Sequence, residues 1–314
     1  MHPVSTAPAN PGQVWPSAVA PPPSPAGPGK GWDLEASFAF CTALAAGHYE
    51  NFPVGSRFIP RAKQPYVHAI YGFARTADDF ADEARFEGAR MALLDEWDEL
   101  LRRCYQGEAS HPVFIALRET VGRLDIPIEP LRALLQAYRM DVTQNRHETF
   151  EDLLFYCRHS ANPVGQLVLY LFGYRDPELH ALSDSICTAL QLTNFWQDVD
   201  VDRAKDRVYL PRVDMARFGY SEQDLFSRTY NGAFVRLLGL EVERTWALFE
   251  QGRPLLGRVG RDLRFEMRLT WLGGTRILRR IEGCHFDVFR RRPKLNLWDK
   301  VSILAHSALR WRFR

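Results

Sequence analysis

Beyond about residue 31, apolar residues recur at helical spacing through nearly the whole chain. Leu34, Phe38, Cys41 and Leu44–Ala45 predict a helix that runs to about His48. Further helices are expected at about Ala62–Glu83, Gly88–Tyr105, from Pro112 behind His111, Ile128–Asn145 and Phe150–Arg158. The segment Ser160-Ala-Asn-Pro-Val-Gly165 interrupts this pattern, which resumes over Gln166–Phe172, Leu179–Val199, Tyr220–Phe249 and Arg261–Cys284. Period-two alternation of useful length is absent, as are short turn-delimited β-runs, so the expected class is an all-α bundle. Residues 1–31, rich in Pro, Ala, Ser and Gly and almost without charge, read as a disordered tail. They lack the basic start and apolar core of a signal peptide and the Arg-rich amphipathy of a transit peptide. One helical domain, 32–314, is expected to follow.

Two of the predicted helices break the pattern in the same way. In the first, Tyr71, Arg75, Asp78 and Asp82 fall at i, i+4, i+7 and i+11, on one face of an otherwise apolar helix, with Asp79 adjacent. In the second, Gln191, Asn194, Asp198 and Asp202 fall at i, i+3, i+7 and i+11. Each polar stripe ends in two carboxylates one turn apart. Like charges at that spacing cost a helix about 0.2–0.5 kcal/mol, and far more if buried without a positive partner. Mg²⁺ would supply that charge, because it takes oxygen ligands and uses one or two carboxylates together with substrate phosphates. Two such helices acting together would clamp a Mg²⁺–diphosphate.

Composition narrows the remaining choices. The chain has 314 residues, 46% hydrophobic and 25% charged, which suits a globular protein with a substantial core. A formal net charge of +2 argues against a nucleic-acid partner. Five cysteines, Cys41, Cys104, Cys157, Cys187 and Cys284, show no C-x-x-C spacing, so reduced thiols in a cytoplasmic setting are expected. No apolar run reaches the length of a transmembrane helix.

Several loops carry candidate chemistry. Ser56 and Arg57, in a loop closed by prolines, can hold a phosphate or serve as a turn and a surface charge. The small-residue break at 160–165 suggests close approach of a ligand or another backbone. Arg203, Lys205 and Arg207, in the charged stretch that ends at Pro211, can fold over a diphosphate or form a solvated hinge. The cluster Arg290-Arg-Arg-Pro-Lys294 precedes a segment to Arg314 that mixes Trp, Leu and Ile with basic residues, as interfacial helices do. Peripheral membrane contact and an ordinary closing helix are both open readings of that end.

At its two acidic segments the sequence resembles the squalene/phytoene synthase family, the head-to-head prenyl synthases. The matching pieces run from about Phe38 to Leu295: Tyr71-Gly-Phe-Ala-Arg75-Thr-Ala-Asp78-Asp-Phe-Ala-Asp82, Tyr138-Arg-Met-Asp141, Leu154-Phe-Tyr156-Cys-Arg, Gln191-Leu-Thr-Asn194-Phe-Trp-Gln-Asp198-Val-Asp-Val-Asp202, and Asp206-Arg207-Val-Tyr209-Leu-Pro211. The loop from His48 to Arg57, with Asn162-Pro163-Val-Gly165 and Asn194-Phe-Trp-Gln, looks most like the bacterial hydroxysqualene synthases of hopanoid biosynthesis. Two positions depart from the wider pattern: Gln197 stands where many members carry Arg, and Asn162-Pro163 where many carry Ala-Gly.

The resemblance implies a single isoprenoid-synthase-type bundle around a central cavity. It implies two or three Mg²⁺ ions on Asp78, Asp79, Asp82, Asn194, Asp198 and Asp202, and a diphosphate held by Ser56, Arg57, Arg75, Gln191, Arg207 and Tyr209. Tyr71, Arg75, Tyr156, Asn194 and Asn162 would act in catalysis, Asn162 by holding a water. Phe73, Phe195 and Trp196 are further candidates to face a carbocation, although most aromatics in a bundle are core. Asp141 matches a further polar family position, and His48, His159 and His285 have no assigned role. The implied reaction is ionisation of presqualene diphosphate and water capture to give hydroxysqualene, without NADPH. A presqualene diphosphate synthase and a squalene-forming reductase would be functional partners. The enzyme would be cytoplasmic, or peripheral on the inner membrane face. The alternatives are condensation of two farnesyl or geranylgeranyl diphosphates to squalene, dehydrosqualene or phytoene, and a catalytically silent relative resembling a respiratory-complex assembly factor.

Overall fold

The computed structural model describes residues 31–47 and 59–308, with positions 19, 24 and 25. The rest of the predicted N-terminal tail, the Ser56–Arg57 loop with His48, and residues 309–314 lie outside the described residues. Among the described residues the secondary structure is helical, apart from one isolated bridge between Arg146 and Val208. The all-α expectation holds. The chain divides into two compact units, Met1–Asn51 with Ala62–Thr143, and Phe52–Arg61 with Gln144–Arg314.

In the first unit, α1 (Leu34–Gly47), α2 (Gln64–Asp82), α3 (Arg90–Tyr105), α4 (Pro112–Leu124) and α5 (Glu129–Thr143) pack together. The first acidic helix, α2, is the hub and touches each of the other four. Its apolar face, Ala69, Phe73, Ala77, Phe80 and Ala81, is buried at i, i+4, i+8, i+11 and i+12. Phe73 stacks on Trp97, and the Trp97 indole donates to the Phe73 carbonyl at 3.2 Å. This makes Phe73 a core residue, not a wall of a reaction cavity. Buried His111 caps α4 by accepting from Val113 N at 3.2 Å, and burial lowers its pKa to about 4, so the cap is a neutral imidazole.

The second unit holds α6 (Phe150–Ser160), α7 (Asn162–Leu171), α8 (Pro177–Ala204), α9 (Arg212–Phe218), α10 (Glu222–Phe226), α11 (Gly232–Gly252), α12 (Leu255–Arg258), α13 (Arg261–Gly283) and α14 (Leu297–Ala308). The second acidic helix, α8, is again the hub, against α6, α7, α11, α12 and α13. Asp176 caps its start by accepting from Glu178 N at 2.9 Å, with Pro177 at the first helical position. Wholly buried Trp196 donates to Thr245 Oγ1 at 2.8 Å and so belongs to the core.

Three sequence expectations are corrected. The second acidic helix does not stop near Val199 but continues to Ala204, so Asp202 is within the helix. The long helix predicted over Tyr220–Phe249 is two helices. A Ser221–Asp224 capping box starts the short α10, Arg228 turns the chain with φ of 56°, and Asn231 caps α11 by accepting from Phe234 N at 3.0 Å. The interruption at 160–165 shrinks to Ala161, and Asn162 and Pro163 open α7. Its glycine meets the close approach of a neighbouring helix that the break suggested, since a Cβ on Gly165 would collide with Ser183 and Cys187 of α8.

Close approach also fixes Gly252, where a Cβ would sit 2.8 Å from the Leu182 carbonyl oxygen and against Ile186. A backbone carbonyl in a packed helix cannot rotate away. Gly252→Ala is expected to destabilise the protein by about 1–3 kcal/mol in urea unfolding. Gly257→Ala, where nothing lies within 4 Å, is the neutral control.

A buried polar cluster joins α9 and α11. Arg244 donates to Asp214 at 2.5 Å and to Glu241 at 3.1 Å. Burial, partly offset by Arg244 and reinforced by the Asp214 carboxylate, pushes Glu241 from its ordinary 4.5 to about 8. The folded protein therefore keeps a proton that the unfolded chain loses. That stability is fully present below about pH 4.5 and is lost as pH rises through about 8. Glu241→Gln should flatten this decline in chemical-denaturation curves between pH 5 and 9, whereas an unchanged slope would place the proton elsewhere.

Candidate active site

On α2 the polar stripe forms as predicted. Arg75 donates to Asp78 Oδ2 at 3.1 Å and forms a second, shorter ion pair with Asp79. One guanidinium thus bridges carboxylates three and four residues ahead on its own helix, which offsets their repulsion. Asp82, one turn further, is exposed. Half-buried Tyr71 lies one turn before Arg75, and burial raises its pKa, with Asp78 and Asp79 adding to the rise and Arg75 opposing it. Tyr138 of α5 joins this group. Burial pushes its phenol well above the usual range, with further upward contributions from Asp78 and Asp141. Tyr71, Arg75, Asp78, Asp79, Tyr138 and Asp141 therefore share one electrostatic neighbourhood in the first unit.

On α8, Gln191 is half-buried, Asn194 exposed, Asp198 buried and Asp202 half-buried. Burial, with the neighbouring Asp198 charge, pushes Asp202 from 3.8 up to about 6, against the pull of Lys205, Arg207 and Arg292. Asp198 itself is gripped side-on by Arg292. Nη2 donates to Oδ2 at 2.9 Å, and Nε makes a shorter bond to Oδ1. The Gln197 amide donates to the Pro293 carbonyl, fixing the residue next to Arg292.

Within the basic run 290–294, Arg292 turns inward onto Asp198. With Gln197 beside it on α8, Asp198 draws its cation from 94 residues along the chain. No local spacing announces such a partner; the sequence shows only a basic triplet and a glutamine.

The stretch after α8 is pinned by several bonds. Val208 N donates to the Asn145 carbonyl at 3.0 Å, and Arg146 pairs with Asp206 at 2.7 Å and with Glu222 at 3.0 Å. Arg203 is engaged by Asp200 at 2.8 Å, and the cations acting on Asp202 are Lys205, Arg207 and Arg292. Tyr209 stacks on Phe195 with ring centroids 3.7 Å apart, and Tyr156 lies about 6 Å from both rings, at 6.1 Å in each case. Buried His147 stacks on Tyr209 at 5.6 Å, and burial lowers its pKa to about 4, so it is neutral here. The sequence reading passed over His147 because it lies outside every motif. A cavity of about 10 Å³, room for about one water, has Phe195, Asp202, Arg207 and Tyr209 in its lining.

Two other candidates have hydrogen-bond partners within the second unit. Asn162 is buried and accepts from Thr188 Oγ1 at 2.8 Å, which ties α7 to α8. The ring Nδ1 of His159 is bonded to the Phe155 carbonyl of its own helix at 2.8 Å.

The donor set fits Mg²⁺ in one specific way. Among the described residues, no three His, Cys, Asp or Glu side chains gather to form a protein-only cage. Asp202 Oδ2, however, is buried without a hydrogen-bond partner, one turn from a second carboxylate. A hard cation satisfies such an oxygen, and Mg²⁺ sharing its shell with a diphosphate and waters needs only one or two carboxylates.

Comparison with known proteins identifies the family. The family model for squalene/phytoene synthase matches residues 45–299. A 15-cis-phytoene synthase of Synechococcus elongatus is 32% identical over 88% of this chain and 94% of its own length. A hydroxysqualene synthase of Rhodopseudomonas palustris is 37% identical over 70% of this chain and 75% of its own. The crystal structure of squalene synthase HpnC from Alicyclobacillus acidocaldarius superposes with a TM-score of 0.78 at 43% identity, covering 81% of this chain and 95% of that one. The chain belongs to the squalene/phytoene synthase family, enzymes of isoprenoid biosynthesis built on this all-helical fold.

Proposed function

We propose that the protein ionises presqualene diphosphate and delivers water to the rearranged carbocation, giving hydroxysqualene and diphosphate. The observation that carries this reading is the lining of the small cavity in the second unit. It combines a half-buried carboxylate (Asp202), a cation (Arg207) and two stacked aromatic faces (Phe195 and Tyr209). Identity of 37% to a hydroxysqualene synthase and 43% to a squalene synthase HpnC supports the choice of product.

The carbon–oxygen bond breaks with both electrons leaving on the diphosphate. The resulting cation rearranges and forms a new carbon–oxygen bond to water, which loses its proton to the medium or to the released diphosphate. Mg²⁺, when bound, neutralises charge on the departing diphosphate. Asp78, Asp79 and Asp82 on α2, and Asp198, Asp202 and Asn194 on α8, are the proposed metal-binding groups. Arg75, Gln191, Arg207 and Tyr209, with Ser56 and Arg57 of the undescribed loop, are proposed to donate to diphosphate oxygens. Tyr71 and Tyr156 face the cation, each aromatic face stabilising it by roughly 0.5–2 kcal/mol. A separate synthase would supply presqualene diphosphate, and a reductase would remove the hydroxyl. A second reading, head-to-head condensation of two prenyl diphosphates, is favoured by the phytoene synthases at 32% and 29% identity over most of the chain.

The deciding experiment incubates the protein and Mg²⁺ with presqualene diphosphate, and separately with farnesyl diphosphate with and without NADPH, with products read by gas chromatography–mass spectrometry. Hydroxysqualene from the first alone is expected. Presqualene diphosphate, squalene or dehydrosqualene from farnesyl diphosphate would establish condensation instead. Asp198→Asn and Asp202→Asn should each lower kcat by about 100-fold or more, as for other groups that stabilise developing charge. Arg292 and a metal compete for the same oxygens of Asp198. Arg292→Ala is therefore expected to shift Mg²⁺ binding, followed by calorimetry without substrate, to lower Mg²⁺ concentration. An unmoved midpoint would remove Asp198 from the ligand set.

A further inference from the structure

The last described helix presents an apolar stripe to solvent. Its orientation on the second unit is fixed from the other side. Ile303, Ser307 and Asp299 are buried, and α14 packs on α13. Asp299 accepts from Arg280 Nε at 2.7 Å, and Asn296 and Asp299 cap each other's backbone N–H groups at 2.9 and 2.8 Å. That arrangement turns Leu297, Trp298, Val301 and Leu304 outward at i, i+1, i+4 and i+7. Their exposures are 74%, 81%, 51% and 45%. Scattered exposed apolar residues are ordinary, but a contiguous stripe led by a tryptophan on one face of an anchored helix marks an interaction surface.

The charges around the stripe identify what meets it. Arg290, Arg291, Lys294 and Lys300 are exposed beside it. The one acid from 290 to 308, Asp299, is buried and neutralised by Arg280. The sequence continues Leu309-Arg-Trp-Arg-Phe-Arg314 in the same composition. No helix among the described residues is long and apolar enough to cross a membrane. A short helix with an aliphatic and Trp face between lysines and arginines is built to lie in the headgroup region of an anionic bilayer, with its apolar side toward the acyl chains.

We propose that α14 and its basic flanks dock the protein on anionic membrane surfaces. Trp298 and Leu297 insert at the interface, and Arg290, Arg291, Lys294 and Lys300 pair with lipid phosphates. The surface is independent of which prenyl product the enzyme makes. Each cation near an anionic surface contributes roughly a fivefold gain in partitioning.

The test is co-sedimentation of the full chain with vesicles of phosphatidylcholine alone or mixed with phosphatidylglycerol, at low and high salt, with Trp298 fluorescence quenched by lipids brominated in the acyl chain. The expected result is binding to the anionic vesicles that weakens with salt, and quenching of the wild type that Trp298→Phe reduces. Leu297→Ser with Trp298→Ser, and separately Lys294→Glu with Lys300→Glu, should each lower partitioning at least tenfold. Circular dichroism should stay unchanged, because all four side chains are solvent-exposed. Equal sedimentation of wild type and variants, equal binding to neutral vesicles, or no binding would overturn the proposal. So would a dimer in light scattering that the Leu297/Trp298 variant dissociates, since that would assign the stripe to a second copy of the chain.

Discussion

Carboxylates stacked one turn apart on a buried helix are unstable without nearby positive charge, and both units of this protein are arranged around that constraint. Each acidic helix is the packing hub of its unit, and of the stacked carboxylates Asp78, Asp82, Asp198 and Asp202 only Asp82 is exposed. The two hubs solve the problem differently. On α2 the cation is local: Arg75 reaches forward three and four residues to Asp78 and Asp79. On α8 it is remote: Arg292 comes from the segment between α13 and α14 to hold Asp198, while Asp202 is left with an unsatisfied buried oxygen and a raised pKa. One hub thus carries a bridging guanidinium, and the other keeps a carboxylate oxygen that no hydrogen bond satisfies.

What the sequence could disclose follows from the range of the interactions. Periodicity reports contacts within a helix turn, so the helices, the shared face of Tyr71, Arg75 and Asp78, and that of Gln191, Asn194, Asp198 and Asp202 were legible. Periodicity fails where a turn is made by capping without proline. The Tyr220–Phe249 pattern therefore hid the Ser221–Asp224 box and the Asn231 cap that break it. The partners of Asp198 and Asn162, namely Arg292 and Thr188, lie 94 and 26 residues away and are set by how helices pack. No single sequence encodes that as a spacing.

The aromatics divide along the same line. Helical spacing alone could not separate Phe73 and Trp196 from Tyr156 and Phe195. In the structure, Phe73 stacks on Trp97 and Trp196 donates to Thr245, so both are committed to the core. Phe195 stacks on Tyr209, which enters from the stretch after α8 and brings that segment over the aromatic group. The motif Asp206-Arg207-Val-Tyr209 makes physical sense in this light. Arg146 holds Asp206, Val208 bonds back to Asn145, and residues 207 and 209 are left facing the cavity beside Asp202.

The exchange of Arg for Gln at 197 also acquires a physical role. A cation carried on α8 itself would be fixed to the helix and would stay near Asp198 whatever else was bound. A cation carried on the 284–296 segment is held there by its ion pair and by the neutral Gln197–Pro293 hydrogen bond. Arg292 donates to both oxygens of Asp198, so the charge of this carboxylate is balanced from outside its own helix. The contact most easily given up is the neutral one, worth roughly 0.5–1.5 kcal/mol net. A buried carboxylate thus has its charge balanced by a group that belongs to the segment leading into the exposed apolar stripe of α14.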